Sequence, residues 1–232
     1  MGKIEDNEAF VRHVQQKLSL KVDGWAGRKT YDAFNDRLGP TPSVPEPAKP
    51  GDAFDAAFEK TIGHEGGFQN RSSDRGNWTG GRVGVGVNKG TKYGISAASY
   101  PNLDIRNLTI DEAKTIYRRD FWDKIRANEM PGPIGYMLFD MAVNHGRSLS
   151  AQLLQKALKV AEDGKIGPFT LEAVKAVDVP TLINRIADAR AAKYRALAAS
   201  SKNYAEYLGS ESPRRGWLGR NLNVRDEARA WV

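Results

Sequence analysis

Along most of the chain from residue 52 onwards, apolar residues recur at intervals of three and four, which places them on one face of an α-helix. The clearest stripe contains Phe54 and Phe58 and ends on a carboxylate, Glu65. The Gly66-Gly67 pair follows, and glycine often ends a helix because it tolerates a left-handed backbone. We therefore predict a helix that ends at Glu65 and carries this acid on its buried face.

Glu65 has the features of a general acid. Burial among apolar side chains disfavours an ionised carboxylate, and so does the negative end of the helix dipole. Both effects raise the pKa of a carboxyl group. A carboxylic acid that stays protonated near neutral pH can donate a proton to a leaving group. Its place at the end of an apolar stripe therefore makes Glu65 a candidate catalytic acid.

The other apolar stripes predict a mainly α-helical domain. The signals are a capping box at Thr109–Glu112, a helix from about Pro133 to Gly146, helices that begin at Ser150 and at Thr170, and a long helix from Pro180 to Ala199. Three alternating valines within residues 83–87 instead predict a short β-hairpin. The tail after residue 200 is less regular, and we expect Trp217 and Trp231 to anchor it.

A small module precedes this domain. Phe10, Val14 and Leu18 form a short apolar stripe, and Thr30 can cap a second helix. Residues 39–51 then contain five prolines, a composition that favours an extended, semi-rigid spacer. The sequence therefore predicts three parts: a small helical module at residues 1–39, a proline-rich linker at residues 40–51 and a helical domain at residues 52–232.

Charge and composition narrow the range of partners. With 35 Lys and Arg residues against 28 Asp and Glu residues, the net charge is +7, which favours nucleic acid, anionic lipid or acidic cell-wall polymers. The sequence has no apolar run of about eighteen residues, the length that a transmembrane helix needs. Its first residues lack the apolar core of a signal peptide, and it contains no cysteine. We therefore expect a protein that is made in the cytoplasm without disulfides.

A glycine-rich loop supplies a second carboxylate. Hydrolysis of a glycosidic bond commonly uses a protonated carboxylic acid together with an ionised carboxylate. Asp74 follows Glu65 by nine residues and lies between two arginines, so we expect it to be ionised. Thr79 or Thr91 could orient a water molecule beside it, and Trp78 could stack on a sugar ring. Equally, these residues could cap turns and anchor the loop.

The helix predicted after Pro133 carries a polar stripe, Tyr136, Asp140 and Asn144, opposite its apolar face. This stripe could line a substrate cleft, or it could be a solvated helix face. Other kinds of catalytic site have less support. The three histidines lack the spacing of a zinc site and no Gly-x-Ser-x-Gly elbow is present, so we predict neither a metal nor a cofactor.

Several ordered motifs within residues 54–230 resemble glycoside hydrolase family 108, the N-acetylmuramidases of phage lysis proteins and related bacterial enzymes. The matching blocks are His64–Gly67, Asp74–Gly76, Gly90–Ser96, Ile116–Trp122, Phe139–Gly146 and Asp163–Thr170. Residues 13–38 separately resemble a peptidoglycan-binding module. Together the two parts are similar to a modular phage endolysin.

This resemblance implies a lysozyme-like fold and hydrolysis of the β-1,4 bond between N-acetylmuramic acid and N-acetylglucosamine. It implies that Glu65 donates the proton, that Asp74 stabilises the developing charge or activates water, and that Thr91 helps to place that water. Tyr93 lies in the same block as Thr91. It joins Trp78 and the polar stripe among the candidate substrate-binding residues.

One short motif occurs twice. The pattern Asp-Gly-x-x-Gly-x-x-Thr begins at residue 23 and again at residue 163, and a tight turn before a capped helix explains both copies. In the N-terminal copy, the resemblance to a peptidoglycan-binding module adds a set of candidate wall-binding residues: Asp23, Gly24, Trp25, Gly27 and Thr30.

Two other functions are compatible with these residues. A lytic transglycosylase would cleave the same bond with the acid alone, and a non-catalytic protein would only bind cell wall or nucleic acid. We favour the hydrolase, acting on peptidoglycan as a monomer and without nucleic acid. We expect it to remain in the host cytoplasm until a separate holin-type pore releases it to the periplasm and the cell wall.

Overall fold

A computed structural model describes residues 50–63 and 67–232, with side chains from Ala53 onwards. The predicted N-terminal module, most of the linker and Glu65 lie outside the described residues. The described chain divides into two compact units, one that ends at Lys124 and one that runs from Ile125 to Val232.

The first unit begins with helix α1, Pro50–Ile62. Its inward side chains Phe54 and Phe58 are buried, as their spacing predicts. Phe54 packs edge-on against Trp122 with ring centroids 5.5 Å apart, and Phe58 packs in the same way against Tyr117 at 5.6 Å. These aromatic contacts form the core of the first unit.

Helix α1 ends at Ile62, so the prediction that it reaches Glu65 is wrong. Gly63 has a φ of +64°, and its N–H donates to the carbonyl oxygen of Glu59 at 2.9 Å. Without a Cβ, glycine takes this left-handed conformation at little cost, and it ends the helix there. The helix stop is therefore Gly63 and not the Gly66-Gly67 pair.

A small β-hairpin exists, but not where it was predicted. Strand β1, Thr91–Lys92, pairs antiparallel with strand β2, Ile95–Ser96. Tyr93 and Gly94 connect the strands with φ values of +53° and +74°, and positive values at both positions are characteristic of a type I′ hairpin turn.

Residues 83–87, the predicted site of the hairpin, lie in a loop of turns that is closed by a bridge between Trp78 and Asn88. Gly84 and Gly86 have φ values of +78° and +80°, which interrupt the extended backbone that a strand needs. The three valines of this loop are exposed as a result.

Helix α2, Ile110–Tyr117, begins with the predicted capping box. The N–H of Thr109 donates to the Glu112 carboxylate at 2.8 Å, and the N–H of Glu112 donates to the Thr109 hydroxyl at 3.3 Å. A π-helical turn, Arg118–Trp122, follows directly and carries Trp122 into the core.

The second unit is also helical. After a short turn at Ala127–Glu129, its elements are α3 Gly132–His145, α4 Arg147–Leu158, α5 Pro168–Lys175, α6 Val179–Ser200, α7 Lys202–Leu208, β3 Ser210–Glu211, β4 Arg214–Arg215 and α8 Gly216–Arg229. Strands β3 and β4 pair antiparallel. Helix α3 is central, because α4, α6 and α8 all pack against it. Every residue from Ile134 to Ala142 is consequently buried, so the part of α3 that carries Tyr136 and Asp140 has no solvated polar face.

Several boundaries differ from the predicted ones. Helix α4 begins at Arg147, and Ser150 is a buried residue within it whose hydroxyl donates to the Leu138 carbonyl at 2.8 Å. Helix α5 begins at Pro168, so Thr170 is not its cap. Helix α6 closely matches the prediction and is capped by Asp178, which accepts the N–H of Thr181 at 2.9 Å.

The C-terminal tail is more regular than predicted, because it contains α7, the β3–β4 hairpin and α8. Trp217 stacks on Tyr194 at 5.1 Å and Trp231 stacks on Tyr136 at 5.2 Å, which confirms both tryptophans as packing anchors. The predicted fold class, mainly α and lysozyme-like with a small β-hairpin, is confirmed. Within the described parts of the chain, none of the helices combines the length and apolar character needed to cross a membrane.

Candidate active site

In the first unit, the loop that carries Asp74 is held against strand β1. The N–H of Gln69 donates to the carbonyl of Thr91 at 2.9 Å, and the N–H of Thr91 donates back to the carbonyl of Gln69 at 2.7 Å. Gly90 permits this approach, since its φ is +83° and a Cβ there would lie 2.5 Å from the Gln69 carbonyl oxygen. The crossing joins the Asp74 loop to the Thr91 block.

Asp74 caps the short 3-10 turn Arg75–Asn77. One carboxylate oxygen accepts the N–H of Gly76 at 2.8 Å, and the other accepts the side-chain amide of Gln69 at 3.2 Å. Both of these donors are neutral. The residue is exposed, so its carboxylate is held in place while remaining open to a ligand or a water molecule.

Asn77 connects Asp74 to Thr91. It is fully buried, and its amide exchanges two hydrogen bonds with the amide of Gln69, at 2.9 Å and 3.1 Å. Its amide nitrogen also donates to the carbonyl of Arg71 at 2.9 Å, and its oxygen accepts the hydroxyl of Thr91 at 2.7 Å. We call Gln69, Asp74, Asn77 and Thr91 the loop network.

The loop network distinguishes between the two candidate threonines. The hydroxyl of Thr91 belongs to it, in contact with Asn77. The hydroxyl of Thr79 accepts the N–H of Val87 at 2.9 Å and so holds the neighbouring valine loop together. Thr79 thus has the turn-stabilising role that was its alternative explanation, and Thr91 is the threonine linked to Asp74.

Trp78 and Tyr93 both contribute to the loop architecture. The Trp78 indole N–H donates to the carbonyl of Ser72 at 2.9 Å, which anchors this half-buried ring to the loop. The Tyr93 carbonyl accepts the hydroxyl of Tyr117 at 2.9 Å, and burial raises the pKa of Tyr117 to about 12. Contacts of Trp78 and Tyr93 with a substrate stay predictions.

Glu65 lies outside the described residues, between Gly63 and Gly67, so its role also stays a prediction. The sequence predicts Asp74 and Thr91 as site residues but does not point to Gln69 and Asn77. Gln69 is four residues after Glu65, and Asn77 is three after Asp74. Nothing in their local pattern separates them from other polar loop residues, because the contact that unites them is the crossing of the loop with β1.

The polar stripe of α3 has a different environment, inside the second unit. Asp140 is buried and accepts hydrogen bonds from Arg190 at 2.6 Å and from Arg220 at 2.5 and 3.0 Å. Tyr136 is also buried, and its hydroxyl donates to Glu227 at 2.6 Å. These two residues therefore hold α6 and α8 to α3, contrary to both predictions for the stripe, a cleft and a solvated face.

Asn144, the third member of the stripe, is exposed and donates to the Asp140 carbonyl at 2.7 Å. Its contact with substrate stays a prediction.

His145 lies beside this buried cluster. Its Nε2 is 2.5 Å from the hydroxyl of Tyr194, which in turn accepts a hydrogen bond from Arg190 at 2.7 Å. Burial, followed by the positive charges of Arg190 and Arg220, lowers the pKa of His145 to about 4. The imidazole is therefore neutral at physiological pH.

The repeated Asp-Gly motif can be described in its C-terminal copy. The side-chain amide of Gln155 donates to Asp163 at 2.6 Å, to the Lys165 carbonyl at 3.0 Å and to the Thr170 hydroxyl at 3.3 Å, while its oxygen accepts the N–H of Gly164 at 2.9 Å. One glutamine thus organises the whole turn. The N-terminal copy, with the predicted wall-binding residues Asp23, Gly24, Trp25, Gly27 and Thr30, lies outside the described residues.

Among the described residues, no group of three or more His, Asp or Glu side chains is arranged to hold a metal ion. Chemically, the loop network presents one exposed carboxylate beside a hydroxyl group, on a scaffold fixed by two amides. This arrangement can accept a proton from water or stabilise a nearby positive charge.

Comparisons with known proteins agree with this picture. Residues 58–146 match the family model Glycosyl hydrolase 108, and residues 149–222 match the model Predicted Peptidoglycan domain. The loop network lies inside the first match. No curated protein sequence matches the chain at a significant level.

A solved structure, described as the structure of Brucella abortus SagA, is similar to this chain with 27% sequence identity and a TM-score of 0.56. The similarity covers 78% of this chain and 96% of that one. Taken together, these comparisons show that the chain is similar to glycosyl hydrolase 108 over residues 58–146, to a predicted peptidoglycan domain over residues 149–222, and to the solved structure over most of its length.

Proposed function

We propose that the protein is an N-acetylmuramidase that cleaves the β-1,4 bond between N-acetylmuramic acid and N-acetylglucosamine. The observation that carries the proposal is the loop network. Asp74 and Thr91, two residues chosen from sequence for a water-assisted hydrolysis, are joined through Gln69 and Asn77 within the segment that matches glycosyl hydrolase 108.

In this mechanism Glu65 donates its proton to the glycosidic oxygen as the bond from that oxygen to the anomeric carbon breaks. The exposed Asp74 carboxylate stabilises the positive charge that develops on the sugar, or it takes the proton of the water that attacks the anomeric carbon. Thr91 orders this water through its hydroxyl. The products are two glycan ends with one water added across the cleaved bond.

We also propose the wider setting that the sequence suggests. The protein acts as a monomeric, phage-type endolysin whose N-terminal residues 1–39 form a wall-binding module. It waits in the host cytoplasm until a separate pore releases it to the wall, where its activity lyses the cell. Its net charge of +7 supports attraction to an anionic wall.

The decisive experiment is analysis of the products from purified peptidoglycan by mass spectrometry, with wild-type protein and Glu65→Gln. We expect reducing N-acetylmuramic acid ends from the wild type and no cleavage by the variant, because Gln cannot donate the proton. Ends lighter by one water, the anhydro form, would instead establish a lytic transglycosylase. Cleavage by a folded Glu65→Gln protein would contradict the assignment of the acid.

Asp74→Asn tests the second carboxylate. We expect activity to fall by about 100-fold or more, because the amide neither carries a negative charge nor accepts the proton of water. Thr79→Val, in the same unit but outside the loop network, is the control for nonspecific effects on the loop. Near-normal activity of Asp74→Asn would favour the transglycosylase, which needs the acid alone.

A further inference from the structure

A cluster of aromatic rings lies on the surface of the second unit, formed by Tyr204 and Tyr207 of α7 and Trp217 of α8. We call these three residues the aromatic platform. The Tyr207 ring is nearly parallel to Trp217, at 25° with centroids 5.7 Å apart, and Tyr204 is tilted by 36° at 6.1 Å. Trp217 stacks in turn on the buried ring of Tyr194.

The outer part of the platform is exposed: Trp217 is half-buried and packs against the core, while Tyr204 and Tyr207 are open to solvent. The two tyrosines are 45% and 53% exposed, among the largest values for big hydrophobic side chains in the described chain. Their hydroxyls make no hydrogen bond with any described residue. Clustered, exposed aromatic rings with unused hydroxyls are typical of a binding surface, because tyrosine offers a rigid apolar face and a polar edge.

The backbone beneath the platform is fixed. The β3–β4 hairpin joins α7 to α8 between Gly209 and Gly216, which have φ values of +68° and +58°. A Cβ on Gly216 would lie 2.6 Å from the carbonyl oxygen of Tyr207, so α7 and the start of α8 approach more closely than any other residue allows. The rings are thus arranged before a ligand arrives, which reduces the entropy lost on binding.

The chemistry of the platform suits a sugar ring of a wall glycan. Such a ring has an apolar face of C–H groups that can stack on tyrosine or tryptophan, while its hydroxyl and acetamide groups can bond the free tyrosine hydroxyls. Arg215, two residues before Trp217, is exposed and makes no ion pair with a described residue. A cation there favours a polymer that carries carboxylates.

We propose that Tyr204, Tyr207 and Trp217 bind an N-acetylated sugar of the peptidoglycan glycan strand, as a site made of residues other than those of the candidate active site. All three lie within the segment that matches Predicted Peptidoglycan domain. The choice of ligand rests on the proposed function. The site would hold the enzyme on the wall between cleavage events.

A site-specific measurement can test this assignment in the full chain. In the Glu65→Gln background, which removes hydrolysis, chitotetraose and then a soluble muropeptide are titrated while the indole N–H signals of the five tryptophans are followed by NMR. The Trp217 signal is assigned by its loss in Trp217→Phe. We expect this signal to shift on titration. A Trp217 signal that stays still for both probes would overturn the proposal.

Variants separate stacking from other effects. We expect Tyr204→Ala with Tyr207→Ala to weaken binding of the soluble muropeptide by about tenfold or more, and Tyr207→Phe, which keeps the ring, to weaken it by only about twofold. Ile110→Ala removes an exposed apolar side chain in the first unit and is the matched control. Circular dichroism verifies that each variant is folded. A double variant that binds as well as the control would contradict the proposal.

Self-association through the platform and failure of the proposed function can both be recognised. If sedimentation velocity shows that the wild type self-associates and that the double alanine variant does not, with glycan binding unchanged, the platform is an interface between copies of the chain and the proposal is wrong. Failure of the proposed function is distinguishable, because hydrolysis by the Glu65-containing enzyme is measured separately from binding in the Glu65→Gln background.

Discussion

Each unit of the protein contains an aspartate at the centre of a polar cluster, and the two clusters differ in what surrounds the carboxylate. Asp74 is exposed and accepts hydrogen bonds from two neutral donors, an amide N–H and a glutamine side chain. Asp140 is buried, and both of its carboxylate oxygens accept hydrogen bonds from arginines, Arg190 and Arg220. Both residues were candidate site residues in the sequence, each with a structural role as the alternative.

The partners of a carboxylate, more than its residue type, decide what the carboxylate can do. An aspartate with two guanidinium partners has its lone pairs occupied and its charge neutralised, so it stabilises the fold. An aspartate positioned by neutral donors keeps both its charge and its access to solvent. Only the second arrangement leaves a group free for chemistry.

Substitution of asparagine for Asp140 and for Asp74 should have the most different effects on stability. We expect Asp140→Asn to lower the free energy of unfolding by about 3–5 kcal/mol, because it leaves the buried Arg190 without its counter-charge. The Nη1 of this arginine already has no hydrogen-bond partner among the described residues. Asp74→Asn, on the exposed loop, should change stability by only about 1 kcal/mol or less.

Urea denaturation of the two variants and the wild type provides the measurement. Equal stability losses at the two positions would contradict the contrast drawn between them.

A substitution at Asn77 tests whether the loop network supports catalysis. Asn77→Ala removes the amide that joins Gln69 to Thr91, so we expect activity on peptidoglycan to fall by about tenfold, with a stability loss of about 1–3 kcal/mol. Asn88→Ala, in the valine loop, is a suitable control, since Asn88 contacts the Asn70 carbonyl and no member of the network. A larger loss of activity in the control would show that loop rigidity in general, and not the network, supports catalysis.

The buried cluster around Asp140 should also make the stability of the protein depend on pH, through His145, with a smaller effect than the substitutions above. The pKa of His145 is lowered from 6.5 to about 4 in the folded protein, so the unfolded chain binds more protons between these values. Stability from this residue is therefore complete above pH 6.5 and is lost as the pH falls towards 4. The groups that face His145 are Arg190, Arg220, Asp140 and Tyr194.

We expect the melting temperature of the wild type to fall across this window, and that of His145→Gln to fall less steeply, because glutamine does not titrate. Thermal melts between pH 4 and 7 measure both slopes. Parallel slopes would mean that His145 has the same pKa in the folded and unfolded states.

Sequence analysis recovered the features that depend on local pattern. The buried face of α1, the capping box of α2 and the long helix α6 follow from spacing and capping residues alone. It failed where contacts between distant segments decide. The polar stripe of α3 was misplaced because the arginine partners of Asp140 are 50 and 80 residues away. The early end of α1 is a separate, local error, since Gly63 takes the left-handed conformation before the expected Gly66-Gly67 stop.

In the candidate site, too, some residues could be predicted from the local sequence and others depend on contacts between segments. Asp74 could be selected because its residue type suits the proposed chemistry, and Thr91 because the block around it resembles glycoside hydrolase family 108. Gln69 and Asn77 could not be selected in this way. They meet Thr91 because Gln69 and Thr91 pair in a β-bridge between two segments, and this bridge has no sequence pattern of its own.

Gln155 shows how the duplicated Asp-Gly motif forms its turn. In the C-terminal copy, the Asp, the first Gly and the Thr of the motif are all hydrogen-bonded to one glutamine, which lies eight residues before the Asp. The sequence places Gln15 eight residues before Asp23, so we expect a glutamine to hold the turn of the N-terminal copy in the same way. The Asp, Gly and Thr residues that the two copies share therefore predict a turn, and any difference in binding between the copies depends on residues that differ, such as Trp25 and Lys165.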